Sequence, residues 1–188
     1  MKNTQKFSEV ATMKAVLISI QPPPCKQIAS GIKKVEVRST APKLKTPFKA
    51  FIYMTKGKPF YETLDGSERY NGTVIGEFIC DEIIRFYKET CDHPELDGCP
   101  VEEWLMWDAS EELLEQIGTD PEDIEKCTCL TEKEIFWYTR GDGYGWHITN
   151  LVIYDKPKRL DQFSKVGFDR VIPLKRPPQS WMYVEEIA

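Results

Sequence analysis

Apolar positions along the chain follow two rhythms that change at one place. Ala15 to Ile20 is an apolar run of strand length. Pro22 to Pro24 suit a first helical turn, and Cys25, Ile28, Ala29 and Ile32 then recur at the i, i+3, i+4, i+7 interval of one buried helix face. Gly31 stands where a helix C-terminus takes a left-handed residue. From Lys34 the period becomes two, so Val35 and Val37 point one way while Lys34, Glu36 and Arg38 point the other. Lys33 has the parity of the valines, so it joins Glu36 only from the turn ahead of the strand pleat, and we place it there. This junction of helix, glycine and charged strand is the candidate functional site.

Further along, prolines and lysines between Ala41 and Pro47 predict a loop, Ala50 to Thr55 a strand, and Tyr61 to Gly72 another loop with Asp65-Gly66 and Asn71-Gly72 as turn pairs. One long strand is expected from Thr73 to Phe86, with Gly76 marking a bulge or a close approach of backbone. Tyr87 to Leu130 changes in composition. It is acidic and reads as helical pieces, with Ser110 capping a helix that ends at Gly118 and Asp120-Pro121 starting another. Trp104, Met106 and Trp107 resemble the apolar face of a docking helix. Thr131 to Glu134 is a capping-box pattern opening a helix through Tyr138, and Gly141-Asp142-Gly143 ends it in a loop. Strand pattern returns in Trp146 to Tyr154 and Trp181 to Val184.

Gly31-x-Lys33-x-x-Glu36-x-Arg38, after a short helix opened by an apolar strand and a proline-bearing turn, resembles the ASCH domain, a relative of the PUA RNA-binding fold. Gly72 to Phe78 is similar to that family's central strand, Gly143 to Ile148 to its later strand, and Arg176 to Trp181 to the closing segment of phage and bacterial members. The resemblance spans roughly Met13 to Val184. It implies an α+β fold, a PUA-like mixed β-barrel with peripheral helices, in which residues 13–188 form a single domain; by composition 87–130 reads as an acidic helical insertion, and residues 1–12, ahead of Met13-Lys14, as a disordered extension. It also implies binding of RNA or a modified nucleotide in a cleft lined by Lys33, Glu36 and Arg38, with Lys34, Tyr144 and His147 contributing. Some small members carry Lys and Thr three residues apart and hydrolyse the acetyl amide of N4-acetylcytidine; here Lys33 is retained and Glu36 occupies the threonine position. Two alternatives stay open. One is a nucleic-acid or nucleoside hydrolase, an amidohydrolase or ribonuclease, with Lys33 and Glu36 as acid and base. The other is a regulatory or protein-interaction module of a phage, with the acidic insertion as its working surface.

Composition refines this picture through charge. The net −5 hides a split: about +9 from Met13 to Phe60, where Glu36 is the single acid, and about −17 from Tyr61 to Tyr138. The basic portion attracts phosphate, and the acidic middle either repels the same backbone or folds over the basic part and screens it. With 188 residues, 41% of them hydrophobic, the chain is long enough for one well-cored domain. No apolar run approaches the roughly 18 residues of a membrane span, and the first twelve residues are too polar for a secretory signal, so a cytoplasmic protein is expected.

Six cysteines in such a compartment are expected to be reduced. Cys25 and Cys80 fall within apolar patterns and read as core. Cys91, His93, Cys99, Cys127 and Cys129 contain enough sulfur and nitrogen for a tetrahedral zinc set, but no pair has the usual zinc-ribbon spacing. Idle or buried thiols, no metal and no cofactor are the expectation. In Gly143-Tyr144-Gly145-Trp146-His147 the glycines would let rings and backbone approach a ligand, with Trp146 buried and His147 near the cleft mouth.

Overall fold

The computed structural model describes residues 15–56, 70–91, 102–168 and 170–187. The extension expected at 1–12, most of the loop expected from Tyr61 to Gly72, and the His93 and Cys99 positions lie outside these. Among the described residues, ten strands form two sheets, accompanied by four α-helices. The first sheet contains β1 (Ala15–Ile20), β3 (Phe48–Met54), β4 (Thr73–Cys80), β8 (Thr149–Lys158), β9 (Phe163–Lys165) and β10 (Trp181–Glu186), in the order β8-β4-β3-β1-β10-β9. The second contains β2 (Val35–Arg38), β5 (Ile83–Cys91), β6 (Glu102–Asp108) and β7 (Asp142–His147), in the order β2-β7-β5-β6. The α+β class is therefore as expected.

Strand β1 explains the first sheet. It lies between β3, its parallel neighbour, and β10, its antiparallel one. Both of its faces are covered, so an alternating pattern is replaced by six consecutive buried residues. Val16, Ile18 and Ile20 pack with Phe48, Phe78 and Trp146 on one side; Leu17 packs with Phe51, Phe163 and Val184 on the other. The first and last strands pair, as a barrel closed by its ends requires. Among the described residues, however, the ladders form two sheets rather than one closed ring. The chain crosses between them four times, from β1 to β2, β2 to β3, β4 to β5 and β7 to β8.

The crossing from β4 to β5 corrects the single strand expected from Thr73 to Phe86. Asp81 and Glu82 interrupt it, because the Glu82 carbonyl turns to accept the His147 backbone N–H at 3.1 Å. Ile148 makes the same break in the strand expected from Trp146 to Tyr154, donating its N–H to the Lys34 carbonyl at 2.8 Å. Gly76 fulfils both of its expected roles. The register with β3 shifts beside it, and a Cβ there would stand 2.3 Å from the Val152 carbonyl oxygen.

The stretch 87–130 is not helical throughout. Its first half extends β5 and returns as β6, paired antiparallel from Arg85↔Asp108 to Cys91↔Glu102. Leu105 and Trp107, two residues apart, both face the second core, which is strand periodicity; Trp104, Met106 and Trp107 therefore do not form a helix face. Helices follow: α2 (Glu111–Ile117), capped by the Ser110 hydroxyl and ended at Gly118, and α3 (Pro121–Thr128) after Asp120. The reciprocal Thr131–Glu134 cap then opens α4 (Glu132–Thr139) as the pattern predicted. Together α2, α3 and α4 cover Val35, Val37, Ile84 and Phe86 of the second sheet. No helix among the described residues is long and apolar enough to cross a membrane.

Candidate functional site

Helix α1 (Pro22–Ala29) leads into the site. Its buried face is Pro22, Cys25 and Ile28. The other two residues of the expected apolar stripe are exposed: Ala29 is the last helical residue, and Ile32, beyond the helix, is 62% exposed. Gly31 adopts the expected positive φ of 74°. The chain then folds back, so that Ile32 and Lys33 both donate their N–H to the Gln27 carbonyl at 3.0 Å. That turn aims the Lys33 side chain along the Glu36 face, since regular pleating begins only at Val35.

The three charged side chains meet in the interior. Lys33, Glu36 and Arg38 are 4%, 6% and 6% exposed. Glu36 lies between two cations, with Oε1 2.8 Å from Arg38 Nη2 and Oε2 3.5 Å from Lys33 Nζ. Arg38 Nη2 also donates to the Ser19 carbonyl at 2.7 Å, at the end of β1. Lys33 Nζ donates to the Thr128 carbonyl at the C-terminus of α3, where helix geometry leaves carbonyls free and favours a cation. The neighbouring Cys127 carbonyl takes the Lys34 backbone N–H at 2.8 Å. The acidic middle of the chain thus folds over the basic part, as one of the two charge readings required.

Burying three charges costs desolvation energy that ion pairing recovers only when each group is also hydrogen-bonded. Two protein carbonyls supply part of this here, but Arg38 Nε remains buried without a partner. Beside the triad lies a cavity of about 510 Å³. Its floor is the triad with Ser19 and Val37; one wall is Gln21, Pro24 and Gln27 of α1 and the residue before it. Cys129, Leu130 and Gln179 complete the lining, with the exposed Glu134 and Tyr138 of α4 at the rim. The Arg176 to Trp181 segment reaches this place because Ser19 Oγ donates to the Pro178 carbonyl at 2.7 Å. Side-chain amides, buried cations and a carboxylate around apolar patches can bind a small polar, planar molecule in a fixed orientation.

The other sequence candidates lie elsewhere. Lys34 is exposed and does not line the cavity. Tyr144 stands opposite Arg38 in the ladder, but its ring stacks under the Arg85 guanidinium, 4.8 Å from the centroid. His147 is not at a cleft mouth: it is 5% exposed, with Nδ1 2.8 Å from Asp81 Oδ1 at the crossing between sheets. Trp146 is fully buried, as expected. The glycines around it make room for protein rather than ligand, since a Cβ at Gly145 would meet Val35 at 2.7 Å and one at Gly143 would meet Thr139 at 2.3 Å.

Of the cysteines, Cys127 sits in the second core with its thiol donating to the Ile124 carbonyl, and burial pushes that thiol up to about 11. Cys129, with a left-handed backbone, lines the cavity. No group of three metal-binding side chains occurs among the described residues, which exclude the Cys91 side chain, His93 and Cys99. Sequence reasoning missed Gln179, Cys129 and Tyr138. Tyr138 had a signal, being four residues from the capping Glu134 and so on the same helix face; Gln179 lies in the Arg176 to Trp181 segment that carried the resemblance, and Cys129 was weighed only as a metal ligand.

Fold and site together define an α+β domain with a polar, partly charged cavity at the junction of its two sheets. That fold is similar to the crystal structure of ASCH from Zymomonas mobilis, at 19% identity, covering 90% of this chain and 86% of that one with a TM-score of 0.50. A single-substitution variant of the same protein is 20% identical, covering 92% of this chain and 89% of that one with a TM-score of 0.49. The chain therefore shares the fold of that ASCH structure. No family model matches the sequence, and no curated protein does.

Proposed function

We propose that this chain is an ASCH domain whose cavity binds one nucleoside unit, free or within RNA. The observation that carries this reading is the convergence of Lys33, Glu36 and Arg38, each more than nine-tenths buried, on a cavity of about 510 Å³. That volume falls in the range of small-ligand pockets, about 300–1,000 Å³. Carboxylate, cation and amide groups supply the acceptors and donors that read a base edge. The acidic surface beside the cavity, with Glu122 and Glu125 of α3 next to Glu134 of α4, disfavours a groove that tracks a long phosphate backbone. We take the protein to act in the cytoplasm, where its thiols stay reduced.

A second reading, hydrolysis of an amide on the base, is favoured by one distance. Lys33 Nζ and Glu36 Oε2 stand 3.5 Å apart, within reach of one bound group for proton transfer. Both readings require the triad, whereas the phage-module alternative predicts that it is dispensable.

The test is a thermal-stabilisation screen of free nucleosides, modified nucleosides including N4-acetylcytidine, and short single-stranded RNAs. A free nucleoside is expected to raise the melting midpoint, and Arg38→Ala to remove the effect. Stabilisation only by longer RNAs, falling steeply with salt, or by none of these ligands, overturns the reading. Chromatography of the incubated nucleosides reports turnover, which the hydrolase reading expects Lys33→Ala to abolish.

A further inference from the structure

Helix α4 turns Ile135 and Thr139 into the protein, with Ile135 fully buried in the second core. Glu134 and Tyr138 lie one turn apart on another face and line the cavity. The two rim groups differ in how they are held. Glu134 is fixed by the helix cap, accepting from the Thr131 N–H and hydroxyl at 2.8 and 2.9 Å. Tyr138 is 50% exposed, a large ring left half in water beside a polar cavity. It is the one aromatic side chain among the described residues that line that cavity. An amphipathic ring in this position exposes a face to whatever enters, while rotamer freedom is limited by its rigid helix.

We infer that Tyr138 is the stacking face of the cavity and selects a planar nucleobase over a bare sugar or phosphate. This rests on the nucleoside reading above and extends it by naming the part of the ligand that sits at the rim. The triad on the floor contacts the polar edge of the base, and the ring covers its flat side. Because stacking depends on overlapping ring area, the contribution is larger for a purine than for a pyrimidine. Tyr138 is a specificity-determining residue in this scheme.

The experiment titrates the intact protein and its variants with adenosine, cytidine and ribose 5-phosphate, following affinity by calorimetry and folding by melting temperature. Tyr138→Ala is expected to weaken adenosine by about 5- to 100-fold, cytidine by less and ribose 5-phosphate not at all, with the melting temperature unchanged. Tyr138→Phe is expected to retain wild-type affinities, since the ring face is kept. Trp137→Ala is the control. Trp137 is 72% exposed on the same helix and does not line the cavity, so its loss leaves all affinities as they were. Wild-type binding of nucleosides with no change in Tyr138→Ala overturns the stacking role alone. An equal loss for all three ligands does so as well. Failure of the wild type to bind any nucleoside overturns the nucleoside reading and this role together.

Discussion

Glu36→Gln isolates the electrostatics of the site while nearly keeping its shape. The carboxylate holds two cations, Arg38 at 2.8 Å and Lys33 at 3.5 Å, and all three side chains are at most 8% exposed, so solvent screens them little. The amide removes the negative charge and leaves two buried positive groups facing one another across a neutral side chain. Removing one member of a buried ion pair costs about 3–5 kcal/mol, mostly through the charge left without a partner. For a chain of this length about 1 kcal/mol moves the midpoint by about 2–4 °C, which gives a fall of about 6–20 °C. Circular dichroism melting curves of the two proteins measure it, with urea denaturation as the independent scale. The triple replacement Lys33→Met, Glu36→Leu, Arg38→Met is the informative companion: it removes every charge at once and is expected to be far less destabilising than Glu36→Gln, while abolishing ligand binding. A fall under about 1 kcal/mol for Glu36→Gln would refute the reasoning, because that is the scale of a solvated surface pair.

Three further outcomes follow from the structure. Burial alone raises Glu77, but hydrogen bonds from Lys49 and Tyr154 and the charges of Lys49 and Lys158 outweigh it and hold the carboxyl below its ordinary value of 4.5. Its contribution to stability is therefore full above 4.5 and lost as pH falls through the lower folded value; Glu77→Gln flattens that acid limb in melts from pH 6 to 3, and an unchanged limb contradicts the pairing. Native labelling with iodoacetamide at pH 8 is expected to reach Cys129 before Cys80 and Cys127, whose thiols burial pushes up to about 12 and about 11, and a bound nucleoside is expected to protect Cys129; peptide mass mapping that finds Cys127 labelled first contradicts the packing. Gly143→Ala places a methyl 2.3 Å from Thr139 and 3.0 Å from the Arg38 carbonyl, so α4 must move off β7, costing about 1–3 kcal/mol and weakening ligand binding; wild-type stability and affinity would show that the contact is slack.

The charged strand was legible because parity along a strand is a local property. Val35 and Val37 enter one core while Glu36 and Arg38 face the other way, as the period of two requires. Gly31, the Thr131 capping box and the Ser110 cap were legible for the same reason: each is a short-range backbone requirement. What the sequence hid is tertiary. Nothing near Lys33 announces that its ammonium will meet the Thr128 carbonyl, 95 positions away. Strand β6 reads as helix in the sequence because acidic composition outweighs the alternation of Leu105 and Trp107, which becomes decisive only once β5 supplies a partner edge. His147 was misplaced because strand parity fixes its side but not the Asp81 carboxylate that draws it to the crossing between sheets. The Gly-rich segment was misread for a related reason: glycine signals a close approach without saying whether protein or ligand makes it.

The most direct measurement is a crystal structure of the complex with the nucleoside that stabilises the protein most. Base atoms within hydrogen-bond distance of Lys33 Nζ, Glu36 or Arg38, with the ring lying against Tyr138, are the expected result. Ligand density elsewhere on the molecule, with the cavity between α1 and α4 unoccupied, would contradict the assignment of this cavity as the binding site.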